Sequence, residues 1–185
     1  DEARKFARTR LASLEPSREP KLLAGIIAGV RTQMTQRGKI LIVTLDDASA
    51  ALDVTVYHEL YEENKKLFKE GEFLAVQGKV AEDRFFGGLR ITAEKVMDIA
   101  AARSQYGRQL VLSITQSSKT ANSKQLQSVL TPHLSQTGLP LILHYRLSEV
   151  DCELLLGDEW RVSPDDTLWS ALSESFGRGV VAVEY

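Results

Sequence analysis

Leu52, Val54 and Val56 alternate with Asp53, Thr55 and Tyr57, a period of two that predicts a half-buried strand. Similar stretches flank it. Leu22 to Arg31 is apolar and β-branched but holds Gly25 and Gly29, and glycine inside a strand marks a bend or bulge. Lys39 to Leu45 is a second strand, after a turn at Gln36-Arg37-Gly38. Asp46 to Ala50 reads as a turn, His58 to Lys69 as a helix that Gly71 is placed to end. Phe73 to Val80 and Leu89 to Val96 are two further strands around a loop at 81–88.

Three strands, a helix and two strands is the order of the five-stranded OB-fold barrel. We assign it residues 21–99. Residues 1–20 end in Pro16 and Pro20 and predict a short helix plus linker. Ala100 to Gly107 reads as a helical connector. Beyond it the pattern gives a strand at Gln109–Ile114, a helix at Ser123–Leu134 and strands at Pro140–Leu147 and Cys152–Leu156. Trp160-Arg161-Val162 extends the last of these. Ser163 as N-cap, Pro164 in the first turn and the acids Asp165 and Asp166 predict a helix start. Val180 to Val183 is a final strand. This β-α-β-β-α-β order predicts a small ferredoxin-like, split βαβ domain over 108–185.

Composition narrows the chemistry. Of 185 residues 43% are hydrophobic and 26% charged, the balance of a globular chain. The charged start, Asp1 to Lys5, has no apolar run behind it and reads as part of a longer chain, not a signal peptide. No apolar stretch is long enough for a membrane helix, so no membrane partner is expected. The single cysteine, Cys152, fits a reducing cytoplasm, and we expect it to be a plain buried residue.

No catalytic or metal-ligating constellation is present. His58, His133 and His144 fall on separate elements, and Asp46-Asp47 suits a turn that satisfies its own backbone better than a metal. The candidate sites are positional instead. An OB barrel presents its nucleic-acid face between its first and last hairpin loops. Arg31, Arg37 and Lys39 sit near the first; Arg84, Phe85, Phe86 and Arg90 sit near the last, and Tyr57 lies on the polar side of the third strand. Cations neutralise phosphate and exposed rings stack on bases. Residues 108–185 hold six basic against nine acidic residues, a poor phosphate binder and a better protein-docking surface. There Trp160 and the terminal strand, with Val181, Val183 and Tyr185, are the candidate partner contacts.

Several of these segments resemble a known family. Gln36-Arg37-Gly38-Lys39, Thr44-Leu45-Asp46-Asp47, Gly87-Gly88-Leu89-Arg90-Ile91-Thr92-Ala93 and Val96-Met97-Asp98-Ile99 are similar to the OB domain of bacterial DNA polymerase III alpha subunits. Trp160-Arg161-Val162-Ser163-Pro164 and Val181-Ala182-Val183-Glu184-Tyr185 resemble the far C-terminal domain of the same family. The resemblance implies a non-catalytic region of a DNA-directed DNA polymerase. Its OB domain would hold single-stranded template, and its last domain would bind the tau subunit of the clamp loader. Other replisome subunits would join through the rest of the chain. The magnesium of the parent enzyme would lie in a palm domain outside this sequence, so no cofactor is expected here. Relatives often carry glycine where this chain has Ala50. Two other readings compete: an anticodon-binding module of an aminoacyl-tRNA synthetase, and a region that binds only proteins. The second draws on the near-neutral balance of residues 21–98, 11 basic against 12 acidic.

Overall fold

The computed structural model describes residues 2–36, 38–83, 87–115, 123–147 and 150–185. They form two compact units, 1–99 and 100–185.

In the first unit, α1 (Ala3–Phe6) precedes β1 (Ser17–Thr35), β2 (Gly38–Asp46), β3 (Ala51–Tyr57), α2 (His58–Glu63), β4 (Phe73–Glu82) and β5 (Leu89–Met97). The strands close a barrel in the order β1-β2-β3-β5-β4. β1 is long because it serves two neighbours. Its first half pairs with β4 and its second half with β2, with Ile26 in both ladders. The crossing is crowded: a Cβ on Gly25 would lie 2.5 Å from the Asp46 carbonyl oxygen, so only glycine fits. A register shift between Ile27 and Gly29 adds the bend that the two glycines predicted. Closure is completed by a parallel pairing of β3 with β5, Val54 opposite Ile91 and Thr55 opposite Thr92. Leu23, Ile27, Leu45, Leu74 and Ile91 fill the interior.

The N-terminal segment is more than a linker. Leu11 and Leu14 are buried in the barrel core, and Phe6 packs edge-on against Phe73 with ring centres 6.4 Å apart. Pro20 does not stop β1, because the ladder with β4 is irregular between Ser17 and Lys21, where no regular donor is needed. The Asp46-Asp47 turn does what acidic turn residues do. Asp46 Oδ1 accepts from the Ala48 amide (2.7 Å), and Asp47 Oδ1 accepts from the Ser49 and Ala50 amides (2.9 and 3.1 Å). Ala48, not Ala50, takes the positive φ of this turn, 65°.

The second unit contains α3 (Ile99–Tyr106, shared at its first residue with the barrel unit), β6 (Gln109–Thr115), α4 (Ser123–Leu130), β7 (Leu134–Leu139), β8 (Leu141–Leu147), β9 (Val150–Leu155), α5 (Asp166–Phe176) and β10 (Val181–Glu184). The main sheet runs β10-β6-β8-β9. β6 and β8 are adjacent and parallel, and the other two pairings are antiparallel. The expected elements are present with one unexpected short strand, β7, after a helix that ends at Leu130 and not Leu134, but the ferredoxin-like arrangement is absent. A split βαβ unit would insert β9 between β6 and β8; here β9 lies at the edge. Its residues explain the choice. Asp151, Cys152, Glu153, Leu154 and Leu155 are all exposed, whereas β6 and β8 supply core residues on both sides of their shared ladder. A strand carrying two carboxylates is cheaper to leave at a margin than to enclose. Cys152 is therefore exposed, contrary to expectation.

Three smaller differences are also local. Trp160 does not extend β9; it closes a short turn, its amide donating to the Gly157 carbonyl, and Val162 bridges to β7 instead. α5 is capped by Asp165, whose Oδ1 accepts from the Leu168 amide at 2.8 Å, so Ser163 is not the cap. α3 is more than a connector. Arg103 on it is 6% exposed, lies 3.9 Å over the Trp169 ring of α5, and donates to Asp166 at 3.1 Å.

Candidate nucleic-acid groove and partner cleft

β1, β2 and β3 are core-facing on one side, and the other side, polar on β1 and β3 and apolar on β2, forms an open groove of about 1140 Å³. Alternation decides what lines it. On β2, Leu41, Val43 and Leu45 face the core, so Ile40 and Ile42 face the groove. On β3, Val54 and Val56 are buried, so Asp53, Thr55 and Tyr57 face it. β1 contributes Arg31, Gln33 and Thr35, and the far wall comes from Asp83, Gly87, Leu89 and Arg90.

Arg31, Tyr57 and Arg90 are thus brought to one groove. Tyr57 is 42% exposed and lines the groove. Arg31 is not loose. Its Nη2 donates to Asp53 Oδ2 at 2.6 Å, while Thr44 Oγ1 donates to Asp53 Oδ1 at 2.7 Å. That network presents a guanidinium fixed in the groove, and phosphate would compete with Asp53 for it. Asp53 is the member that sequence reasoning missed; its place opposite Thr44 in the β2–β3 register was the available signal. Lys39 is not in the groove. It is on the other parity of β2, in a crevice with His58 and Tyr61 beside α2. Arg37, Arg84, Phe85 and Phe86 lie outside the described residues.

In the second unit an apolar cleft of about 250 Å³ opens between α4 and the sheet. Ile114, Leu126, Leu143, Tyr145 and Leu156 line it, with partly buried Trp160. The other expected partner contacts differ. Val181 and Val183 are 6% and 2% exposed and belong to the core, and Tyr185 packs against it half-buried. β10 lies at the sheet edge with those two side chains turned inward, and the side chains it exposes are Ala182 and Glu184. Among the described residues no group of three or more His, Cys, Asp or Glu could hold a metal ion. No helix among them is long and apolar enough to cross a membrane.

A closed barrel with a polar, ring-bearing groove defines the class: residues 22–99 match the family described as the OB-fold nucleic acid binding domain. Residues 125–177 match a second family, the C-terminal domain of the DNA polymerase III alpha subunit. The alpha subunit of Vibrio cholerae is 34% identical over 188 residues, covering 100% of this chain and 16% of the relative. That of Escherichia coli K12 is 36% identical over 95% of the chain and 15% of its own length. That of Pseudomonas aeruginosa is 32% identical over 100% and 16%. The chain belongs to the DNA polymerase III alpha subunit family, as its C-terminal OB-fold region. It spans about 16% of the length of the curated relatives it matches.

Proposed function

We propose that this region contributes grip and docking, not chemistry, to a replicative DNA-directed DNA polymerase. The barrel groove holds single-stranded template DNA, and the second unit docks the tau subunit of the clamp loader. The observation that carries the DNA reading is the convergence of Arg31, Arg90 and the Tyr57 ring on one open groove. Two cations supply counterion release, and one ring supplies sequence-tolerant stacking. Asp53 and Asp83 in the same groove hold the net field down, so binding is weak and adjustable by salt. The docking reading is supported by the Trp160-lined apolar cleft in an acidic unit.

The DNA reading is tested by titrating a labelled oligothymidylate into the whole chain at several salt concentrations. Arg31→Ser with Arg90→Ser should weaken binding about tenfold and lower the salt slope by about 1.4, two contacts at about 0.7 each. Tyr57→Ala should cost about 1–3 kcal/mol. Lys39→Ser, on the other side of β2, should change little. Wild-type affinity in the double variant, or a strong preference for tRNA over the oligonucleotide, overturns this reading. For docking, Trp160→Ala should reduce affinity for tau by about 2 kcal/mol or more. Unchanged affinity removes the cleft from the interface. Deleting the terminal strand is no substitute, since its two valines are core.

A further inference from the structure

The edge of the second sheet carries information that the cleft does not. β9 ends the strand order β10-β6-β8-β9, and its ladder with β8 runs through six consecutive pairs without a bulge. The Leu156 amide donates to the Leu141 carbonyl at 3.0 Å, one step past the pair Ile142–Leu155. Antiparallel pairs alternate between hydrogen-bonded and non-hydrogen-bonded. Cys152 and Leu154 therefore aim their backbone groups at β8, and Asp151, Glu153 and Leu155 aim theirs outward. Among the described residues no strand pairs with that outer edge. The side chains are open too: Leu154 is 49% exposed and Leu155 69%.

Proteins usually blunt an edge strand with proline, a bulge or charge. β9 has no proline, glycine or bulge, and its charge has one sign. The Asp151 and Glu153 side chains are 69% and 64% exposed, and the His144 ring lies between them, 2.5 Å from Asp151 and 3.8 Å from Glu153. Arg146 turns its Nε onto that ring at 3.3 Å, which leaves the carboxylates at the surface. Acid against acid opposes pairing with a second copy of the same strand, because like charges opposite each other destabilise a sheet. The same charges favour a basic strand.

We propose that the outer edge of β9 accepts an added strand from a protein partner. The segment is extended, basic on the row beside Asp151 and Glu153, and apolar on the row that covers Leu154. Main-chain hydrogen bonds to Asp151, Glu153 and Leu155 hold it, and the two rows set its register. The proposal goes beyond the tau reading, since none of residues 151–155 lines the Trp160 cleft.

The probe is a labelled ten-residue peptide alternating lysine with valine, compared with the same peptide methylated on its four central backbone nitrogens. The whole chain is used throughout. The unmethylated peptide should bind and slow hydrogen exchange at the Asp151, Glu153 and Leu155 amides, while the methylated one should bind at least about tenfold more weakly. Glu153→Pro deletes one outward donor and leaves the inward ladder intact, so it should also weaken binding about tenfold. Glu153→Gln should weaken it only about two- to threefold. Trp160→Ala should leave peptide binding unchanged, which separates failure of the edge from failure of the cleft. Equal binding of the methylated peptide, unchanged exchange at the three amides, or no binding up to about 1 mM overturns the proposal. These readings use the unmutated protein, so they decide the matter even if Glu153→Pro does not fold.

Discussion

Replacing Asp47 by alanine should loosen the N-terminal segment from the barrel. Asp47 Oδ2 accepts from the Leu11 amide at 3.0 Å, and Oδ1 accepts from the Ser49 hydroxyl at 2.5 Å as well as two turn amides. Partial burial pushes its carboxyl upward, but the Ser49 hydroxyl and the Leu11, Ser49 and Ala50 amides outweigh that and hold it at about 2 against the usual 3.8. At about 1.36 kcal/mol per pH unit the gap is worth roughly 2.4 kcal/mol; solvent screening leaves about 1–2. The group is stabilising when ionised, so the contribution is complete above pH 5. It drains as pH falls through 3.8 toward 2, with about half gone by pH 3.

Urea unfolding of the whole chain checks this at pH 7 and pH 3. Both tryptophans, Trp160 and Trp169, belong to the second unit, so their fluorescence is an internal control. Far-UV circular dichroism and hydrogen exchange at the Leu11 amide report the first unit. Asp47→Ala should lose about 1–2 kcal/mol at pH 7, and the gap to wild type should narrow by about half at pH 3. The tryptophan transition should not move. A gap that is the same at both pH values, or a loss below about 0.5 kcal/mol, would refute the clamp.

Arg103→Ala should destabilise the second unit by about 2–4 kcal/mol, most of it from the lost stacking on Trp169 and the packed stem, since the Asp166 side of the pair is 73% exposed. Arg103→Lys should recover less than half, measured by thermal melting on tryptophan fluorescence. Gly78→Ala should cost the barrel about 1–3 kcal/mol by circular dichroism, because the new Cβ would meet the Thr92 carbonyl oxygen at 2.5 Å.

The barrel was legible because its signals are local. Strict alternation at 52–57, glycines at a bend and a carboxylate-rich turn each name a structure within a few residues. The edge position of β9 was not, because β-α-β-β-α-β order is compatible with β9 on either side of β8. Only the exposure of Asp151 and Glu153, read against the burial of β6 and β8, decides it. The start of α5 was misread by two residues because Ser163, Asp165 and Asp166 are all competent caps and the contest is settled by geometry. Val181 and Val183 looked available because their strand was expected at a sheet edge; β10 does lie at the edge, but its two valines turn into the core. Of the groove, Arg31, Tyr57 and Arg90 were readable as residue types near an expected face. Lys39 was not separable from them until strand parity was known. Arg103 was invisible as a structural residue, since nothing in a helix rich in alanine announces that one arginine lies against a ring 66 positions later.

The seam between β3 and β5 has a consequence for how the barrel responds to load. Among the described residues it is the one parallel junction of the cylinder and rests on two residue pairs, whereas its neighbours are antiparallel ladders of seven pairs or more. A wall yields where its ladder is shortest. Thr55 belongs both to that seam and to the groove floor, so the shortest ladder of the barrel is also a wall of the groove. Any change in the width of that groove therefore has its least-paired wall at this seam, and it can be made there at far less cost than unfolding the domain.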